Sequence, residues 1–393
     1  MNKSTPRDAV APQSPGITFA LGPLGVRIEG EHPVTQWAQT ALATVAEPAE
    51  RRPDVTFTFR PDRPCLGDGP WFGDSEGAAA AGRQFIEEKH FEILLDRRDS
   101  ATRVLLGNRS ARKKRTSAVR YPDLAFKTML QHGCGLGIHP LKSFAYNVAP
   151  TILQIALLDR SAAILHASCI ERDGSALLLT ARGGVGKTAL CLGSILAGHG
   201  RFLADDHAVI DAEGRAHLYP LPIHIYGYHF RHIPGIEERM LRQYPPFNRL
   251  LWHTAGRLRG LSKTVRWVSP AAVVGEDRMA RSGRLEQVVL MFRREGGPFE
   301  WRDSPPQEAA RNCLNVILNE MRNISAWLAL GGTGPFTGAM GEITEVLPRL
   351  QSVYERAFSR ARCATLFVPA GANAADLRAF VREREPRMGK FLG

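Results

Sequence analysis

Several things are scarce in this chain of 393 residues, and each scarcity excludes a class. Its six cysteines (Cys65, Cys134, Cys169, Cys191, Cys313 and Cys363) are scattered without paired spacing, so neither a disulfide scaffold nor a zinc or thiol-redox motif is expected, and the thiols read as free. No run reaches the roughly eighteen uncharged apolar residues that a membrane span needs; the longest candidate, Val148 to Leu158, is cut by Asp159-Arg160. The segment Met1 to Asp8 lacks the apolar stretch of a secretory signal, so a cytoplasmic protein with no membrane partner is expected. No internal repeat is apparent. Acidic residues are also short: Asp and Glu total 39 against 51 Lys and Arg, a net charge of +12. That balance favours acidic partners such as nucleotides or acidic proteins. The hydrophobic fraction of 44% is ordinary for a globular protein with a sizeable core.

What stands out is Ala181-Arg182-Gly183-Gly184-Val185-Gly186-Lys187-Thr188. The apolar run Ala176 to Thr180 precedes it and the helix-like run Ala189 to Ala197 follows. Strand, glycine loop and helix start come in the order a phosphate-binding loop requires. Backbone N–H groups must curl around a polyphosphate, which needs the freedom of Gly183, Gly184 and Gly186, with Val185 between them. Lys187 is placed to reach the β- and γ-phosphates of ATP, and the Thr188 hydroxyl to ligate Mg²⁺. Gly198-His199-Gly200 then stops the helix, and Arg201 to Ala204 reads as a short strand ending at Asp205-Asp206, about twenty residues beyond the lysine. Two adjacent carboxylates can divide the work: one accepts a proton from an attacking hydroxyl, the other helps hold the metal.

These residues resemble the HPr kinase/phosphorylase group, a branch of P-loop proteins akin in fold to phosphoenolpyruvate carboxykinases. The resemblance rests on His166 in Ile-Leu-His-Ala-Ser, on the loop entered through Gly174 to Thr180, and on the run Leu196 to Asp206, and it covers Leu165 to Ile210. It implies an ATP-dependent kinase acting on a hydroxyl, with Asp205 as the base, His166 and Lys187 at the active site, and Thr188 and Asp206 on Mg²⁺. The roles of Asp205 and Asp206 are open to exchange. The group's second signature segment, which carries a further metal-linked Glu, has no counterpart here, so the resemblance does not extend to HPr as substrate or to the reverse phosphorylase reaction.

The expected fold is α/β: a P-loop core of the HPr-kinase type over 141–393, with a smaller N-terminal α+β lobe over 17–140 behind a loose tail, 1–16. The expected acceptor is a serine of an acidic protein or peptide; the alternatives are a small hydroxylated metabolite, or a nucleotide-dependent switch without phosphotransfer. Self-association is left open. The basic run Arg109 to Arg115 reads as a docking site or a solvated loop, and no RNP, KH or zinc-finger pattern accompanies it, which disfavours nucleic acid. The stretch Leu218 to Ile233, dense in His and aromatic residues, reads as packing more readily than as a pocket wall with Arg231 on a phosphate. Expected elements are a helix over Val34 to Val45, a loop over 62–82, a hairpin of Phe91 to Leu95 with Arg103 to Leu106, a helix over Phe144 to Asp159, a mobile insertion over 235–285, a core strand Val288 to Phe292, one amphipathic helix from Pro306 to Leu330, and a C-cap turn at Gly331 to Gly334.

Overall fold

The computed structural model describes residues 16–47, 52–61, 64, 72–73, 77–98, 101–108, 138–242, 244–332 and 338–393. The tail 1–15, most of the 62–82 loop, the 109–115 run, Cys65, Cys134 and Thr333-Gly334 lie outside them. The architecture is mixed α/β.

The first sheet holds β1 (Gly16–Leu21), β2 (Leu24–Gly30), β3 (Val55–Arg60), β4 (Phe72–Gly73), β5 (Gly77–Ala80), β6 (Arg83–Glu87), β7 (Phe91–Asp96) and β8 (Thr102–Asn108), in the order β1-β2-β3-β8-β7-β6-β5-β4. The expected hairpin is β7 with β8, antiparallel. β5 lies inside the segment expected to be a loop; alanine is a poor strand former, so only pairing with β6 reveals it. Val55, Phe57 and Phe59 alternate inward along β3. Phe57 and Phe59 pack edge-on against Phe144, each 5.2 Å between ring centres. Helix α1 (Pro33–Ala41) flanks β1 and β2 and is shorter than expected, ending in a 3-10 turn over Ala43–Val45.

Phe144 belongs to a helical stretch that opens with α2 (Ile138–Ser143), widens into a π turn (Phe144–Val148) and continues as α3 (Ala149–Leu158). Pro150 explains the widening. It has no N–H to return to the preceding turn, and a π turn absorbs that lost bond.

The second sheet is built from β9 (Ala162–Leu165), β10 (Ala167–Arg172), β11 (Ser175–Thr180), β12 (Arg201–Ala204), β13 (Ala208–Asp211), β14 (Arg215–His217), β17 (Ser282–Arg294), β18 (Glu300–Asp303) and β19 (Arg362–Pro369). Strand β17 lies parallel to β11 along Arg284–Leu290 and to β19 along Gln287–Arg294, while its start pairs with β14. These central strands are buried on both faces. Leu178, Val288 and Leu290 join one hydrophobic cluster, while their neighbours Leu177, Leu179, Val289 and Met291 join another. The first cluster is closed by α3, α8 (Pro306–Glu320), α9 (Arg322–Gly331) and α10 (Ile343–Phe358). The second is closed by α4 (Lys187–Leu196), α11 (Ala374–Arg384) and α12 (Pro386–Leu392). The first cluster also runs without a break into the first sheet, from Val26 and Phe57 through Phe144 to Leu165.

Two expectations are corrected here. The 235–285 segment is built of regular elements: α5 (Ile236–Arg242), α6 (Pro246–Arg259) and α7 (Pro270–Val274), with a two-stranded ribbon of β15 (Ile223–Tyr226) and β16 (Val265–Val268). The single helix from Pro306 to Leu330 is two, because Met321 leaves helical geometry (φ −91, ψ 64). The break lets Cys313 and Ile317 on one side, and Ile324 and Leu328 on the other, reach the same core. Gly331 and Gly332 close α9, as a C-cap does. The four described cysteines are buried free thiols. Among the described residues no helix is long and apolar enough to cross a membrane.

Candidate functional site

The glycine loop joins β11 to α4. Gly184 (φ +83) and Gly186 (φ +107) sit in the left-handed region, which demands glycine. A Cβ built on Gly183, Gly184 or Gly186 would meet nothing within 4 Å, so the rim of the loop faces open space. Behind the rim, Lys187 is buried at the first position of α4. Its Nζ donates to the Ala181 carbonyl at 2.8 Å and lies 3.1 Å from His166 Nε2. Burial pulls the lysine below its ordinary range, against the opposing pull of Asp206, Asp205 and Glu320. Burial, followed by the Lys187 charge, pushes His166 down to about 3. The imidazole is therefore neutral and accepts from the ammonium group, fixing the lysine behind the loop. Thr180 Oγ1 donates to the His166 carbonyl at 2.9 Å, tying the histidine to the strand that launches the loop.

The acidic pair occupies the tight turn between β12 and β13, closed by the His207 N–H donating to the Asp205 carbonyl at 2.9 Å. The Thr188 hydroxyl lies 3.0 Å from each Asp205 carboxylate oxygen, and the Ser168 hydroxyl donates to the same carboxylate. Burial, and then the charge of Asp206, pushes Asp205 up to about 7. Asp206 holds a left-handed backbone (φ +64), as Ser161 and Asp173 do in other turns of the chain. Burial alone would raise its pKa, but other causes, first among them the hydrogen bond with His224 Nδ1 (3.1 Å), outweigh that and hold it well below the ordinary carboxylate range. Of the two, Asp206 faces the cavity and Asp205 does not line it.

That cavity, about 1090 Å³, opens in front of the loop. One wall is the Tyr146, His224, Tyr226, Tyr228 and His229 group, with Tyr146 and His224 rings 4.5 Å apart and Tyr228 and His229 rings 4.4 Å apart. Facing walls come from Lys89 and His90 on the β6–β7 turn and from Lys142 on α2. Arg293 donates to the Gly184 carbonyl at 3.3 Å, placing a further cation at the loop. Reading the Leu218 to Ile233 stretch as packing missed this wall, and Arg231, named there as a phosphate contact, is exposed and does not line the cavity. Ser168 was missed too. Its one available signal was its place two residues beyond His166; the chain bends at His166 between β9 and β10, so strand alternation alone does not put the two on one side.

The residues named from sequence thus gather around one space: Gly183, Gly184, Val185, Gly186, Lys187, Thr188, His166 and Asp206 line it, and Asp205 stands directly behind Thr188. Among the described residues no group of three or more His, Cys, Asp or Glu side chains is placed to hold a metal by itself. A hydroxyl and a carboxylate are nevertheless the donor set for Mg²⁺, which keeps waters and takes phosphate oxygens for its remaining positions. The residues fit that ion together with a nucleotide.

No protein-family model matches the chain, and no curated protein matches it. Among solved structures it is similar to the HPr(Ser) kinase/phosphatase from Coxiella burnetii, at 10% identity over 57% of this chain and 97% of that one, with a TM-score of 0.27.

Proposed function

We propose that the chain is an ATP-dependent kinase with a P-loop core of the HPr-kinase type, moving the γ-phosphoryl group to a hydroxyl, in the first place a serine of an acidic protein or peptide. The observation that carries this reading is the open glycine rim backed by Lys187, with Thr188 and Asp205 joined beside it. The backbone N–H groups of Gly183 to Gly186 and the Lys187 ammonium bind the phosphates and disperse the charge of the departing group. Thr188 and Asp205 are the Mg²⁺ side of the site; the ion, when bound, neutralises charge on the phosphate oxygens. Asp206, which faces the cavity and is hydrogen-bonded to His224, orients the acceptor hydroxyl and takes its proton late, once the forming P–O bond has made that proton acidic, because a carboxylate held this low is a weak base. This is the exchanged assignment of the two acids. It follows from Asp205 being spent on Thr188 and Ser168 while Asp206 is turned to the open space.

The test is unbiased: incubate the protein with γ-labelled ATP, Mg²⁺ and a cell extract, and identify what becomes labelled. Asp206→Asn is expected to lower labelling by about 10²- to 10⁴-fold while the Mg-ATP-induced rise in melting temperature survives. Undiminished labelling by that variant removes Asp206 from the role. A protein whose melting ignores Mg-ATP altogether is not a kinase of this kind.

A further inference from the structure

The three large apolar side chains that stand exposed among the described residues all sit on α6: Phe247 at 60%, Leu250 at 63% and Leu258 at 70%. At 3.6 residues per turn they fall within about 80° of one another around the helix axis and span about 16 Å along it. The face next to the stripe is ordinary core. Leu251, Trp252 and Ala255 are buried, and Trp252 packs on Phe230 at 5.0 Å, behind the Tyr228 and His229 wall of the cavity. The helix is therefore held along one face and presents apolar tips along the face beside it.

The charge near those tips is mostly basic; the acid on α6's flank is Glu237, 3.8 Å from His253 Nδ1. From Arg239 to Gly275 there is no Asp or Glu, while Arg or Lys recurs throughout. Arg257 is exposed beside the stripe, Lys263 is exposed in the turn that follows α6, and Arg249 is exposed on the far side of the helix with its guanidinium donating to the Leu241 carbonyl at 3.0 Å. The nearest acid upstream, Glu238, is paired with Arg242.

We infer that α6 is a membrane-surface contact: it lies flat on an anionic bilayer, with Phe247, Leu250 and Leu258 below the headgroups and Arg257 among the lipid phosphates. Aromatic and leucine tips on one side with basic residues around them are what such an interfacial helix needs. A uniformly negative surface is the natural complement to an acid-free run. A second copy of the chain is a poor occupant, because a two-fold contact through this face would set the same basic run against itself. The expectation of no membrane partner came from the missing spanning segment, and a helix lying on the surface requires none.

The test is flotation of the full chain with vesicles of equal phosphatidylglycerol and phosphatidylcholine, with vesicles of phosphatidylcholine alone, and with soluble polyglutamate as a competitor. Flotation is expected with the anionic vesicles only, and is expected to fall by about tenfold or more in Phe247→Ser/Leu250→Ser/Leu258→Ser. The melting temperature of that variant checks its fold; if it does not fold, Phe247→Ser alone is expected to weaken flotation measurably. Absence of flotation with anionic vesicles overturns the proposal, as does equal flotation of a folded triple variant. Binding to polyglutamate without vesicle binding overturns it in favour of an acidic protein partner, and self-association lost in the triple variant without vesicle binding overturns it in favour of a second copy.

Discussion

Asp205 and Asp206 are neighbours in the chain but stand in different electrostatic surroundings, and the difference has a measurable sign. Asp205 is raised from 3.8 to about 7 by burial and by its neighbour. The folded protein keeps a proton there that the unfolded chain has already released, so the stability this carboxyl contributes is present at low pH and is lost as pH rises toward 7. Asp205→Asn removes the ionisable group while keeping an acceptor for Ser168 and Thr188. Its melting temperature without nucleotide is expected to exceed that of the parent protein at pH 8, and by less at pH 5, while labelled transfer falls. A melting difference independent of pH would mean that Asp205 is not the proton-holding member of the pair.

At the scale of elements, the cavity wall depends on a ribbon that belongs to neither large sheet. β15 and β16 pair with each other and are fastened to the π turn by Tyr146, whose hydroxyl donates to the Pro222 carbonyl at 2.6 Å and accepts from Trp267 Nε1 at 2.7 Å. Tyr146→Phe is expected to cost about 1–2 kcal/mol in urea unfolding and to shift Trp267 fluorescence, because it leaves a buried carbonyl with one donor fewer. The ribbon also marks the limit of what the sequence disclosed. Loop, lysine, threonine and acidic pair were legible because each rests on residue type and short spacing within one strand-loop-helix-strand unit. His224 and Tyr226 were not, because their strand is defined by a partner about forty residues away, and the prolines around it argue locally against any strand. The break at Met321 was hidden for a related reason: apolar positions on both sides keep helical spacing, and only the shape of the core requires the chain to turn.

At the scale of the molecule, the two sheets share one hydrophobic cluster, with Phe144 and α3 between them. A chain begun at residue 141 would keep the second sheet and lose the covering of Phe144, Val148 and Ile152. Residues 141–393 expressed alone are therefore expected to lack a cooperative melting transition and to bind a hydrophobic dye, as loosely packed states do; a sharp transition with no dye binding would make the two lobes independent folding units. Strand β17, paired with β11 along the whole of β11 and with β19 beyond it, ties the strand that launches the glycine loop into the second sheet. Strain at β19 would thus reach the glycine loop through the strand that β11 and β19 share.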